Sequence, residues 1–532
     1  VSGRAALAGA LLLGPLLAVL AASGEGHLER AQLAFCNGGD VRTLDPARAT
    51  SVAEGRVVSA LFDRLVRLDP ASARPRPGLA RSWTTSDDAV TWTFRLREDA
   101  RFSHGRPVVA RDVVDSLRRV LEPATGSPMA SLLVRRLEGA AAWVARRAAA
   151  PDEPAPLPAL AAPSPHAVVM RLAAPCPFLP EILALPAFAV VPVEVVAAHG
   201  PRWTRPAHIA TSGPFRLVEH RLRDRLRLAR FEEHWDAASV ALGTVDVLAA
   251  ESLTTQLNLF LTGEVDWMGR PPRALLGRLE DHPAFRSGEQ LSTVFVRFNT
   301  RRAPLDSAAV RRALALALDR GRLVREVLGG RAVPASGLVP RTMPGYAPPP
   351  GQAHAPDRAR ALLARAGHPG GTGLRPLVLL SPHNEDARDL CTAVAEQWRA
   401  ELGVACRLVV QPWPVYLDGT IRGEYDLAWS NWTADYAEPS TFLDVFRAAS
   451  PSNRTGFADA AYDARLDDAA RAPDAERAVH YARAEARLLD AAPITPLHWR
   501  TSAHLVAPRV RGFRSNPLDV HPLHALSVEP EP

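Results

Sequence analysis

The sequence contains no lysine; all 63 of its basic residues are arginine. A Walker-type phosphate loop, whose lysine reaches the nucleotide phosphates, is thereby excluded, and the bias points to genomic base composition. Against 57 acidic residues the formal net charge is only +6, and arginine alternates with aspartate and glutamate along the chain. With no dense basic run, nucleic acid is not an expected partner despite a pI of 9.6. GxSxG, HExxH and paired Cys/His ligand spacings are also missing, so neither a serine hydrolase of that type nor a metal site is expected. Asp435 and Glu438 could in principle serve as a glycosidase acid/base pair. At i and i+3 beside a proline, however, they would not flank a substrate at the required separation.

Cysteine is scarce, with four residues in all: Cys36, Cys176, Cys391 and Cys406. Export would permit a disulfide, and Cys391 with Cys406 is the pair to consider. Cys391 shares an apolar helical face with Val394 and Trp398, which suits two buried free thiols equally. Long hydrophobic runs are absent beyond the first residues. Positions 1–23, "VSGRAALAGALLLGPLLAVLAAS", read as a secretory signal peptide with a small-residue cleavage region. A retained membrane tether is the rival reading of a run marginal in length for a spanning helix.

What is present is a soluble globular composition, 47% hydrophobic and 23% charged, at a length that suggests about three domains. "TSDDAVTWTFRLR" (85–97) places Val90, Trp92, Phe94 and Leu96 at period two, a half-buried strand after a turn. "PVVARDVVDSLRRVLEP" (107–123) spaces Val113, Val114, Leu117, Val120 and Leu121 as one helical face. Residues 145–165 are Ala/Pro-rich without periodicity and read as an exposed loop. A single amphipathic helix is expected over 305–330, with Asp306 or Ser307 at its start and Gly329 and Gly330 at its end. "LVLLS" (377–381), a helix from Glu385 to Leu402, and "VACRLVV" (404–410) make a strand, helix, strand unit suited to a parallel sheet. Pro/Gly-rich segments 331–351 and 366–376 read as surface connections. The class is α/β with added α+β material.

The stretch "SNWTADYAEPSTFLD" (430–444) sets Trp432 and Tyr436 around Asp435 with no basic residue nearby. Asp435 could cap backbone N–H groups of the turn, or its partner could arrive with a ligand.

Markers in order along the chain carry a resemblance: "RTLDPARA" near the start; "PRPGLARSWTTSDDAVTWTFRLREDARFSHGRPVVARDVVDSL"; then "TSGPFRLVEH", "FEEHWD", "VRFNT", "PLDSAAVRRALALALDR" and "ITPLHW". From about residue 33 to the C-terminus the chain resembles the extracytoplasmic solute-binding proteins of ABC importers, in the family of oligopeptide- and dipeptide-binding proteins. His104 stands where that family usually has Asp.

The resemblance implies a type II periplasmic-binding-protein-like fold, with two lobes joined by a hinge and an inserted extra domain. Lobe I would be 24–60, 189–296 and 499–532; the insertion, 61–188; lobe II, 297–498. Expected partners are a peptide ligand and an ABC permease complex in the membrane, and the expected state is a periplasmic monomer without catalytic activity or a cofactor. By the same resemblance Asp435 meets the peptide α-ammonium, with Trp432, Thr433, Trp413 and Trp429 lining the cleft. The basic residues expected for the peptide C-terminus are not reproduced: Trp429, Ala387 and Thr420 occupy those places. Arg388 and Arg422 are the candidate substitutes, His383 is a weaker one, and Met129 replaces an aromatic. The alternatives are a non-peptide solute on the same fold, such as an oligosaccharide, murein peptide or metal chelate, and, from another class, a secreted hydrolase.

Overall fold

The computed structural model describes residues 30–153 and 155–530; the signal peptide expected at 1–23 lies outside them. Short apolar stretches supply the strands. β1 (Leu33–Cys36) is buried along its whole length. β2 (Ala80–Thr85), β3 (Thr91–Leu96), β4 (Leu160–Ser164) and β5 (Ala167–Arg171) make a separate antiparallel sheet in the order β2-β3-β5-β4. Trp92, Phe94 and Leu96 of β3 bury at period two, as their alternation requires. α1 (Ala110–Leu121) covers this sheet with Val113, Val114, Leu117, Val120 and Leu121, all inside one core.

The Ala/Pro-rich stretch expected as a loop is structured at both ends. α2 (Ala140–Ala149) runs into it and β4 closes it. Runs of alanine favour helix without any periodic stripe, and Leu157 and Leu160 are buried anchors.

The large sheet takes β1 together with β6 (Phe215–Arg221), β7 (Arg225–Arg230), β8 (Thr244–Leu248), β9 (Trp267–Gly269), β10 (Phe285–Phe298), β11 (Leu377–Pro382), β12 (Cys406–Gln411), β13 (Leu427–Thr433) and β14 (Ile494–Val506). Their order is β12-β11-β13-β10-β14-β9-β1-β8-β7-β6, with Val333–Pro334 pairing onto β14. β10 and β14 are long and antiparallel from Phe285↔Leu505 to Arg297↔Ile494, and register shifts interrupt them twice. One half of the sheet packs on the cluster around Phe35, Phe62 and Phe215, the other on those around Phe298 and Trp398 and around Phe295 and Tyr462. Both halves thus share the β10–β14 pair. Arg273, just after β9, also pairs with Asp386 and donates to the Val327 carbonyl, and Arg331 pairs with Glu280 at 2.7 Å, tying the halves together.

The helix expected over 305–330 is two helices, α3 (Ala308–Leu316) and α4 (Arg320–Glu326). α5 (Glu385–Leu402) causes the break. Its Gln397 carboxamide accepts from the Asp319 backbone N–H at 2.8 Å and donates to the Asp319 carbonyl at 3.3 Å, while the Asp319 carboxylate caps Arg322. A hydrophobic stripe cannot reveal such a tertiary insertion.

β11, α5 and β12 form the expected parallel unit, followed by α6 (Trp413–Arg422). Segment 331–351 is more than a surface connection: Leu338 and Val339 are fully buried, and their N–H groups donate at 2.7 and 2.9 Å to Glu485 of α7 (Asp474–Ala491). Cys391 and Cys406 are free thiols, each pushed up to about 12 by burial.

Candidate functional site

Parallel strands with helices leave a crevice outside their carboxyl ends, and β13 ends in such a place. β11 pairs with β13 only at Leu379↔Leu427 and Leu380↔Ala428. On its other side β13 pairs with β10 from Ser292 to Phe298. The β11-facing edge from Trp429 to Thr433 is therefore without a partner strand among the described residues, a template for adding one. Where β11 stops, the Tyr416 hydroxyl donates to the Trp429 carbonyl.

Asp435 lies just past the carboxyl end of β13. Its N–H donates to Thr441 Oγ1 at 3.0 Å, while its carboxylate accepts no hydrogen bond among the described residues. The capping role falls instead to Glu438, whose Oε2 accepts the Ser440 N–H at 2.8 Å in a buried position. Burial pushes the Asp435 carboxyl up to about 6, against the pull of Arg135 and Arg136. Arg136 is directed elsewhere, to the Tyr436 hydroxyl at 3.4 Å and toward Asp444 at 3.9 Å. The Tyr436 ring stacks on Phe178 at 5.5 Å and joins the core of the small sheet, so two cores meet beside Asp435.

The expected site residues separate into those near Asp435 and those away from it. Trp432 and Thr433 occupy the end of β13; the Thr433 hydroxyl lies 2.8 Å from that of Ser292. The Trp432 indole N–H is buried and without an acceptor. Trp429 is three positions earlier, so it emerges on the opposite face. There it packs against the cluster containing Cys391 and Trp398, again with an orphaned N–H. Trp413 opens α6, 54% exposed, stacked on Tyr416 at 5.5 Å.

Arg388 pairs with Asp389 at 3.2 Å. Arg422 ends α6 between Asp418 and Glu424, at the opposite end of β13 from Asp435. Neither is brought to Asp435. His383 is exposed, and Met129 packs on the small-sheet core. Sequence reasoning missed Thr293, Trp499 and Tyr416, which reach this region by cross-strand register or by helix packing. Only the sheet order brings them there.

The comparisons with known proteins agree with this architecture. The family described as bacterial extracellular solute-binding proteins, family 5, matches residues 74–454. The periplasmic oligopeptide-binding protein OppA of Salmonella typhimurium is 33% identical over 500 residues, 91% of this chain and 90% of that protein. The Escherichia coli murein tripeptide-binding protein MppA has a solved structure with TM-score 0.77 and 29% identity, covering 94% of this chain and 99% of that one. Haemophilus influenzae OppA, solved in complex with RPPGFSPFR, gives TM-score 0.75 and 28% identity over 94% and 99%. The chain belongs to the bacterial extracellular solute-binding proteins, family 5, and has the two-lobed type II periplasmic-binding fold.

Proposed function

We propose that this protein is the peptide-binding component of an ABC importer, closing its lobes on an extended peptide and delivering it to a membrane permease. The observation that carries the reading is the Asp435 carboxylate, half-buried and without a hydrogen-bond partner among the described residues, beside the unpaired edge of β13. A carrier of many peptides must hold what all of them share. A carboxylate neutralises the α-ammonium, and a free strand edge pairs with the backbone. The division expected from the sequence is lobe I of 24–60, 189–296 and 499–532, an insertion of 61–188, and lobe II of 297–498; the clusters support it in the main, while Leu291, Val294, Phe295 and Val296 pack with lobe II residues and Leu61 and Phe62 with lobe I residues. The protein acts as an exported periplasmic monomer and performs no chemistry on its cargo.

Thermal melting with tri-alanine and with N-acetyl tri-alanine tests the reading. A ligand at 100 times its Kd adds about 2.7 kcal/mol, so the free peptide should raise Tm and the acetylated one should not. Equal shifts from both would remove Asp435 as the amino-terminal anchor.

A further inference from the structure

Buried arginines in this protein are usually well supplied with acceptors. Arg320 donates to the Pro496 and Gln352 carbonyls and to Thr495 Oγ1, Arg311 to the Leu305, Ala491 and Ala492 carbonyls, and Arg227 to Asp246. Arg297 breaks the pattern. It is 5% exposed on β10, opposite Ala428 of β13 and Ile494 of β14, with its guanidinium 5.7 Å from the Phe295 ring centroid. Among the described residues its side chain has no hydrogen bond or ion pair, and its Nε is buried and orphaned.

A second cation adjoins it through Tyr425, whose hydroxyl donates to the Arg454 carbonyl and whose ring packs with Ala428, the residue opposite Arg297. Arg454 donates from Nη1 to Thr420 Oγ1 at 3.0 Å, and its Nε is likewise buried without an acceptor. The phenols of Tyr416 and Tyr425 face the same place, and Arg454 and burial both work against the charge on Arg297. The acids closest along the chain are already engaged: Asp418 by Arg422, and Asp426 by Arg375 and the Val378 N–H. A buried guanidinium beside a half-buried one, with no anion between them, is costly, which is explained if the anion belongs to a ligand.

Tyr416 locates the pair relative to the open edge. Its ring packs with Ala428, opposite Arg297, and its hydroxyl holds the Trp429 carbonyl where the unpaired edge begins. Asp435 stands past the other end of that edge, at a strand distance of roughly 20 Å from Ala428. We infer that Arg297 and Arg454 form an anion subsite that takes a carboxylate of the bound peptide, from its C-terminus or from an acidic side chain. The inference rests on the proposed peptide-binding role and adds the charge class of the preferred ligand: a peptide with a carboxylate about six extended residues from its ammonium group.

Calorimetry with three peptides tests this: hexa-alanine, hexa-alanine amide, and the amide with glutamate at position five. The first against the second isolates the terminal carboxylate, and the third against the second isolates the side chain. The native protein should prefer at least one acidic peptide over the neutral amide by tenfold or more, and in Arg297→Gln and Arg454→Gln that ratio should fall toward one. No preference in the native protein, or a preference retained in both variants, overturns the subsite. Should the native protein bind none of the three, the peptide role fails, and melting with sodium succinate decides the subsite separately. A Tm rise in the native protein that is absent in Arg297→Gln supports it; equal responses overturn it.

Discussion

Trp432 of β13 and Trp499 of β14 stand in register on either side of Thr293 of β10, and the indole N–H of each is buried without an acceptor. Thr293 itself is committed, donating to the Leu338 carbonyl at 2.6 Å. A buried donor that the protein leaves unpaired can be satisfied when ligand carbonyls arrive. Replacing Trp432 or Trp499 by phenylalanine keeps a ring and deletes the donor. Each change should weaken peptide binding by about 1 kcal/mol, read by calorimetry, with the near-UV circular dichroism band otherwise kept. Unchanged affinity in both would mean that the donors serve only the fold.

Asp435→Ala and Asp435→Asn should fold and lose binding. Lobe closure removes the peptide ammonium from water, and deleting its counter-charge costs about 3 to 5 kcal/mol, a several-hundredfold or larger rise in Kd. Asparagine matches the carboxylate in shape, so a loss in both variants assigns the effect to charge. Native affinity in Asp435→Asn would contradict the assignment.

The pH profile of binding follows from the same group. Burial holds the Asp435 carboxyl at about 6, so its ionised form, the one that meets a cation, disappears as pH falls through that value. Kd should rise by about tenfold between pH 7 and pH 5. Above about pH 8 the free α-amino group loses its own proton and binding weakens again. In Asp435→Asn the acid limb should vanish. A native profile flat from pH 5 to 7 would assign ligand recognition to another group.

Much of the scaffold is legible in the sequence because its signals are local. The period-two alternation of Trp92, Phe94 and Leu96 and the stripe of α1 need no knowledge of their partners. The break between α3 and α4 was not legible, because Gln397 enters from 78 residues away. The site divides similarly. Asp435 is conspicuous as an acid among rings, whereas Arg297 looks like any strand arginine until its lack of acceptors is seen in three dimensions. Arg388 and Arg422 looked available because sequence does not show that Asp389, Asp418 and Glu424 already hold them.

Glu485 offers a stability test independent of ligand. It is fully buried; one oxygen accepts the N–H groups of Leu338 and Val339, and the other accepts the Tyr346 hydroxyl. Burial raises its carboxyl to about 7, against those hydrogen bonds. With the folded-state value above the unfolded one, the folded chain binds the extra proton between about pH 4.5 and 7, so stability falls as pH rises through that window. The loss from this group should reach about 3 kcal/mol above pH 7. Glu485→Gln can accept the same N–H groups and donate to the tyrosine oxygen, so its stability should lack this component and exceed that of the native protein at pH 8. Glu485→Ala strands two buried N–H groups and leaves a cavity, and should cost more than about 3 kcal/mol at any pH. Urea unfolding of the three proteins at pH 5 and pH 8 checks both signs. A glutamine variant that tracks the native protein at both values would show that Glu485 stays ionised throughout.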